Sequence, residues 1–255
     1  MSGKDGEPVM NRLVRREARA GVGTITLDSP GNRNALSARL LGDLHEAFTW
    51  ALREPVIRVI VLTGTGPVFC SGIDLKDPTA VTALPGILGL IWESPKPVVC
   101  RLNGTARAGG IGLVTACDFA IAPDNATFAF SEVRLGVVPA LIAVTTLRRV
   151  ERRAAAEYFL TGEVFDAHRA AEIGLLTCAV PEDDLDEMVA RYTDMLLRGG
   201  PEALAITKRL IRTVPELPVD EGLRRMAELS AERFGSAEGQ EGIRAFREKR
   251  DPSWR

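Results

Sequence analysis

Two short glycine turns carry the residue types best suited to chemistry. FCSGIDL, Phe69 to Leu75, and NGTARAGGIG, Asn103 to Gly112, each follow a strand-like apolar run and present glycine where a helix should start. Gly109 and Gly110 leave their N–H groups unhindered at a helix start, where the aligned peptide dipoles are positive, and this favours a nearby oxyanion. Gly72 permits a tight turn after a strand, which frees the N–H of Ile73 to point inward. Two such donors converging on one oxygen stabilise the charge that develops there in a transition state. For AGGIG the plain alternative is close helix–strand packing, which glycine serves equally well. Packing alone does not ask for both turns.

Other chemistries lack their residues. The two histidines, His45 and His168, sit among helical residues away from any Ser or Cys motif, so both are read as structural or solvent-facing. There is no GxSxG elbow and no GxxxxGK[ST] loop. AGGIG lacks the GxGxxG spacing and lies far from the N-terminal position of a dinucleotide site. The cysteines Cys70, Cys100, Cys117 and Cys178 have none of the close spacing that zinc or redox motifs need and are read as reduced thiols of a cytosolic protein. No metal-ligand cluster stands out, and a cofactor-free mechanism is left. Lys and Arg number 32 against 34 Asp and Glu, so no broad field points to nucleic acid or an anionic membrane. The N-terminus has no apolar signal region, and no 18-residue apolar run suggests a membrane span.

The elements that must position these turns follow from periodicity. Val22–Leu27 reads as a strand entering a Pro/Gly/Asn loop that continues as RNALS. Leu40, Leu41, Leu44, Ala47, Phe48, Ala51 and Leu52 fall at helical spacing, with Ser37 placed as the cap. Ile57–Leu62 is a near-continuous apolar run, a strand buried on both faces. Val98–Leu102 is the next strand, Gly110–Ala116 a short buried helix, and FAIA and TFAF two strands parted by the turn PDNA. From Pro139 strand signals nearly vanish apart from TCAV at Thr177–Val180. Leu185, Met188, Val189, Tyr192, Met195 and Leu196 form one helical face, and Leu204, Thr207, Leu210 and Ile211 another. A last helical stretch, Asp220–Arg247, is weakened by Gly235, Gly239 and Gly242 unless tertiary or subunit contacts hold it.

Six motifs in order resemble the crotonase superfamily, specifically the enoyl-CoA hydratase/isomerase family: RNALS (Arg33–Ser37), FCSGIDLK (Phe69–Lys76), NGTARAGGIG (Asn103–Gly112), SEVRLGVVP (Ser131–Pro139), TGEVFDAHRAAEIGLL (Thr161–Leu176) and FREKRDPSW (Phe246–Trp254). The resemblance implies an α/β fold, a spiral of ββα units with a C-terminal helical trimerisation region, divided as an N-terminal arm (1–12), a spiral core (13–195) and a helical oligomerisation region (196–255). It implies a homotrimer or dimer of trimers in the cytoplasm, acting on acyl-CoA thioesters. Coenzyme A is then part of the substrate and no separate cofactor or metal is required. The oxyanion donors become the N–H groups of Ile73 and Gly109, with Gly110 beside them. Arg33 and Ala35 fall in the CoA-binding loop, Ser71, Asp74 and Leu75 line the CoA entrance, and Phe246 and Lys249 reach the nucleotide end, often across a subunit boundary. Asp74 and Asp118 are not read as acids.

The chain departs from the family pattern at one position. Hydratases of the family carry two glutamates; the first aligns with Gly112 and the second with Glu132. A single carboxylate can move a proton from one carbon to another but serves water addition poorly. The expectation is therefore a lyase or isomerase with Glu132 as sole acid/base, its pKa raised by neighbours such as Phe130 and Val133. Hydratase activity is in doubt, and a non-catalytic acyl-CoA binder or an oligomeric scaffold is the alternative. The acyl tail is expected against Ala83–Trp92 and Leu141–Thr145.

Overall fold

From Val59 to Ala129 consecutive strands are dealt alternately to two sheets. The structure, a computed structural model, describes residues 12–255; the arm expected over residues 1–12 lies, Arg12 apart, outside them. After the hairpin β1 (Val14–Arg19) and β2 (Val22–Leu27) and helix α1 (Ala38–Arg53) come three successive units: β3 (Val59–Gly64), β4 (Val68–Cys70) and α2 (Leu84–Trp92); β5 (Val98–Arg101), β6 (Thr105–Arg107) and α3 (Gly109–Ala116); β7 (Phe119–Pro123), β8 (Thr127–Ala129) and α4 (Ala140–Thr146). Then follow α5 (Arg152–Thr161), β9 (Phe165–Asp166), α6 (Ala167–Glu172), β10 (Cys178–Val180), α7 (Leu185–Leu197), α8 (Pro201–Thr213), α9 (Val219–Gly235) and α10 (Ala237–Glu248). The first strand of each unit joins a six-stranded sheet, β1-β2-β3-β5-β7-β10, and the second a smaller sheet, β4-β6-β8-β9. Between successive units all pairings are parallel. A strand–strand–helix unit repeated in this way advances as a spiral.

Burial explains the sequence of each strand. β3 is buried on both faces, as its apolar run requires: Ile60 and Leu62 enter the main core, Val59 and Val61 the outer one. Helix α7 covers that outer face with Leu185 and Val189, while Met195 stays exposed. Ser37 caps α1, its hydroxyl accepting from Leu40 N–H at 3.2 Å. Strand β1 gives no apolar signal because only Val14 of VRREAR is buried; charged side chains suit a sheet edge.

Two helical expectations are corrected. On α8, Thr207 and Ile211 are exposed while Lys208 is buried, only 7% exposed. An ion pair between Lys208 and Asp118 and the stacking of Arg212 on Trp92, 5.5 Å from its ring centre, turn the helix's basic side inward. The stretch Asp220–Arg247 is two helices, broken at Ser236, whose side chain accepts from Gly239 N–H and caps α10. The corner is close enough that a Cβ on Gly239 would lie 2.2 Å from the carbonyl oxygen of Arg233, so the glycine serves the turn.

Candidate active site

Three of the motifs leave three neighbouring strands at the same sheet edge. β6 lies between β4 and β8 and is parallel to both, so FCSGIDL, ARAGGIG and FSEVR emerge side by side. The loop carrying RNALS is tied to the first of these exits: Ser71 N–H donates to Arg33 C=O (3.1 Å), Leu36 N–H to Gly72 C=O (2.8 Å) and Asp74 N–H to Leu36 C=O (3.1 Å). Arg33 and Asn34 both adopt positive φ, and buried Asn34 holds the loop in that shape by donating to the carbonyls of Thr65 and Val68 and accepting from Ser29 N–H. Arg33, Ala35, Ser71 and Asp74 are thus brought together. Leu75 is exposed beside them, and Asp74 accepts from Lys76 N–H within its own turn.

The two glycine turns face each other. In the bridge between Leu36 and Ile73, the bonds are made by Gly72 C=O and Asp74 N–H, which leaves Ile73's own N–H outside the ladder. At the start of α3, Ile111 and Gly112 N–H both turn to Ala108 C=O, so the amides of Gly109 and Gly110 are the helix's orphan donors. Among the described residues neither Ile73 N–H nor Gly109 N–H has an acceptor. A methyl built on Gly109 would sit 3.5 Å from the Ile73 nitrogen, and one built on Gly72 would sit 3.3 Å from the Gly109 nitrogen and 2.9 Å from Ala108 Cβ. Gly72 has φ +94°, which glycine adopts freely. Ala108, with φ 46° and ψ −121°, does not; a backbone of this kind costs about 1–3 kcal/mol and persists where surrounding structure imposes it. Its N–H donates to Ala129 C=O at 3.2 Å, which locks the second turn against β8. Gly110 serves packing, since a Cβ there would lie 2.6 Å from Cys70 C=O.

Glu132 lies in a one-turn 3₁₀ helix, Ser131–Leu135, just past β8. Its Oε2 is buried with no hydrogen-bond partner among the described residues, and burial pushes its carboxyl above the ordinary range. Phe130, at the root of this turn, packs on Phe159 with ring centres 4.2 Å apart. Arg134 fastens the turn to α5 through Thr161 C=O (3.0 Å) and Glu163 (2.5 Å). The carboxyl is therefore held on a rigid base.

Other predicted positions fall elsewhere. Phe246 is 86% exposed on α10, and Lys249 is the exposed left-handed cap of that helix. The tail beyond it runs to the start of β3, where Arg58 donates to the carbonyls of Trp254 and Gly199. Within one chain these residues do not join the glycine turns. His45 and His168 are both exposed. A hollow of about 680 Å³ on the outer sheet face, with Thr24, Thr26 and Thr63 on its walls, shares no lining residue with the turns, and its Arg15 and Arg101 are paired with Asp28 and Asp186. The unpaired donors and the part-buried carboxyl lie instead at the adjoining exits of β4, β6 and β8.

Four apolar side chains wall this site: Leu36 and Leu84 beside Gly109, Leu88 and Ile142 beside Gly112. Leu84 and Leu88 come from one segment expected to hold the acyl tail and Ile142 from the other, but which glycine each of them meets is not legible in the sequence.

Parallel strands of a small sheet that end in adjoining glycine turns, wound into a strand–strand–helix spiral, define a crotonase-type fold. The chain belongs to the enoyl-CoA hydratase/isomerase family, whose model matches residues 17–255. It is 35% identical to carnitinyl-CoA dehydratase of Citrobacter koseri over 245 residues, covering 91% of this chain and 94% of that protein. It is 32% identical to enoyl-CoA hydratase domain-containing protein 3, mitochondrial, of Danio rerio over 252 residues, 95% of this chain and 87% of that one. The crystal structure of an enoyl-CoA hydratase from Shewanella pealeana superposes with a TM-score of 0.90 at 30% identity, covering 95% of this chain and 96% of that chain.

Proposed function

We propose that the protein is an enzyme that binds an acyl-CoA thioester, forms its enolate in an oxyanion hole made by the N–H groups of Ile73 and Gly109, and moves protons with Glu132 alone. The observation that carries this reading is the pairing of two acceptor-free amides on facing turns with a part-buried carboxyl, its Oε2 unpartnered among the described residues, at the neighbouring strand exit. The thioester oxygen gains charge as the α-proton leaves, and a preorganised donor stabilises such charge by about 3–4 kcal/mol. Arg33, Ala35, Ser71, Asp74 and Leu75 border the entrance for CoA, which arrives with the substrate, so no separate cofactor is invoked. The alternative is a binder that holds acyl-CoA without turning it over. Incubating the protein with a panel of 2- and 3-enoyl-CoA esters and reading product mass and double-bond position tests the proposal: unchanged mass with a moved double bond is the expected result, and binding without any product sinks it.

The assembly is a trimer or a dimer of trimers in this reading, and Phe246 and Lys249 serve a neighbouring subunit's CoA. Its support is the row of exposed large apolar side chains on α8 to α10, Ile211, Val219, Leu223, Phe234 and Phe246. Light scattering on the full chain should give three or six chain masses; a monomer at micromolar concentration would contradict it. The four cysteines are free thiols, three of them buried, which suits a reducing compartment such as the cytoplasm. Among the described residues no helix is long and apolar enough to cross a membrane.

A further inference from the structure

We infer that Glu241 and Arg250 are positioning residues: their clamp fixes the chain reversal at Lys249, so that this lysine stands as a preset, unpaired cation for the phosphates of a neighbouring subunit's CoA. The inference rests on the reading above that Phe246 and Lys249 serve that CoA, and goes beyond it by naming the residues that set their place.

Helix α10 ends where Lys249 takes a left-handed backbone, φ 54° and ψ 40°, a shape that helix ends usually give to glycine. A larger residue persists there when the surrounding structure imposes the turn. Arg250 N–H donates to Ala245 C=O at 3.1 Å, which closes the reversal. The Arg250 guanidinium then reaches back to the helix: its Nη groups donate to the two oxygens of Glu241 at 2.8 and 3.1 Å, and its Nε to Glu248 at 2.7 Å. Such a two-point pair fixes orientation as well as distance. Glu241 also accepts from Ser253 N–H at 3.0 Å and from Arg244. Its side chain is only 13% exposed, and the bonds from Arg250 and Arg244 hold its carboxyl down to about 2, so it is an anion at neutral pH. Beyond the clamp, the Trp254 indole N–H donates to Arg198 C=O at 3.3 Å and ties the tail to the chain before α8. Lys249 is thus held from both sides.

The same bonds decide which charges are left over. Arg250 takes Glu241 and Glu248, and Arg255 takes Asp251. Among the described residues Lys249 has no carboxylate partner, although Glu248 precedes it and Asp251 follows close behind. Without Arg250, Glu248 would be free to pair with Lys249 and to repel a phosphate. Phe246, one turn earlier on the helix, is exposed as well. A bare ammonium and an exposed ring at one corner suit the phosphates and the base of a nucleotide. Holding them in place beforehand lowers the ordering cost of binding.

The test is calorimetry on the full-length protein with hexanoyl-CoA and with hexanoyl-pantetheine, which lacks the nucleotide. Thermal melting and light scattering establish that each variant folds and assembles as wild type does. Lys249→Ala should weaken hexanoyl-CoA about 10-fold, the share of one hydrogen bond to a charged group. Arg250→Met and Glu241→Gln should each weaken it at least about 3-fold, the ordering cost of one long side chain. None of the three should change the affinity for hexanoyl-pantetheine. Adding either clamp variant to Lys249→Ala should weaken hexanoyl-CoA no further, because the clamp acts through Lys249. The inference is overturned if the clamp variants bind hexanoyl-CoA like wild type, if they weaken both ligands alike, or if a double variant shows both single losses in full. Should Arg250→Met not fold or assemble, Glu241→Gln and its double variant decide the matter alone. An unchanged affinity in Lys249→Ala defeats the reading of Lys249 itself, and the inference with it.

Discussion

Replacing Glu132 by glutamine stops the reaction while acyl-CoA stays bound. Glutamine keeps the shape of the side chain but can neither take the α-proton nor return it, and loss of a positioned acid/base group lowers turnover by about 10²–10⁴-fold. The proposed oxyanion donors are backbone groups and are untouched, so the calorimetric affinity for an acyl-CoA should hold. Unchanged turnover would assign the proton transfer to another group, and loss of affinity equal to the loss of turnover would make Glu132 a binding residue.

The same variant should be more stable than wild type at neutral pH. Burial raises the Glu132 carboxyl above its ordinary value, so the folded protein holds this proton more tightly than the unfolded chain does. The group therefore favours the fold fully below its unfolded pKa, and that contribution is lost as pH rises through the folded pKa. Once the carboxyl ionises in the folded protein, a part-buried charge carries a desolvation cost that glutamine does not. Melting curves should show the glutamine variant above wild type near neutrality and the gap closing toward about pH 4, the ordinary range of a glutamate. The acid limb of the wild-type activity profile should lie above that range as well, because the base must be ionised to act. A constant stability gap across pH would show that the benefit is packing and not charge.

Lys208→Ala should be the most destabilising change of those considered. Lys208 Nζ lies 2.6 Å from Asp118 Oδ2, which also accepts from Val98 N–H at 2.8 Å, and the ammonium reaches the carbonyls of Ile91 and Lys96 at 3.4 Å. Alanine leaves a carboxylate at 18% exposure without its cation. Breaking a buried pair from one side costs about 3–5 kcal/mol, and for a chain of this size the melting temperature falls by about 2–4 °C per kcal/mol. Lys208→Met combined with Asp118→Asn removes both charges and should recover most of the loss. A single variant that melts within ~2 °C of wild type would mean that water already screens the pair. Activity should fall with stability here, since Asp118 lies two residues beyond α3, whose first amide is a proposed oxyanion donor.

Local pattern made much of the molecule legible. The inward row on α1, the doubly buried run of β3 and the glycines at the start of α3 are signals carried by neighbours in sequence, and the structure repeats them. β4 and β6 are three residues each and hide inside the motifs that follow them, so their shared sheet is not evident from periodicity. β1 is masked by its charges, and the break at Ser236 depends on a corner tight enough to need Gly239. Lys208 reads as a solvated charge until Asp118 is found beside it.

By itself the sequence determined the family and the residue types available for chemistry: two glycine turns, one aligned carboxylate and no second one. A glycine and a carboxylate are properties of single positions, and no folding is needed to name them. Only the tertiary structure decided that the turns face each other, that Ala108 is held in a strained backbone to make them do so, and that the space beside Gly112 is filled by Ile142. Those facts are distances between elements far apart in the chain, set by how the spiral packs one unit on the next.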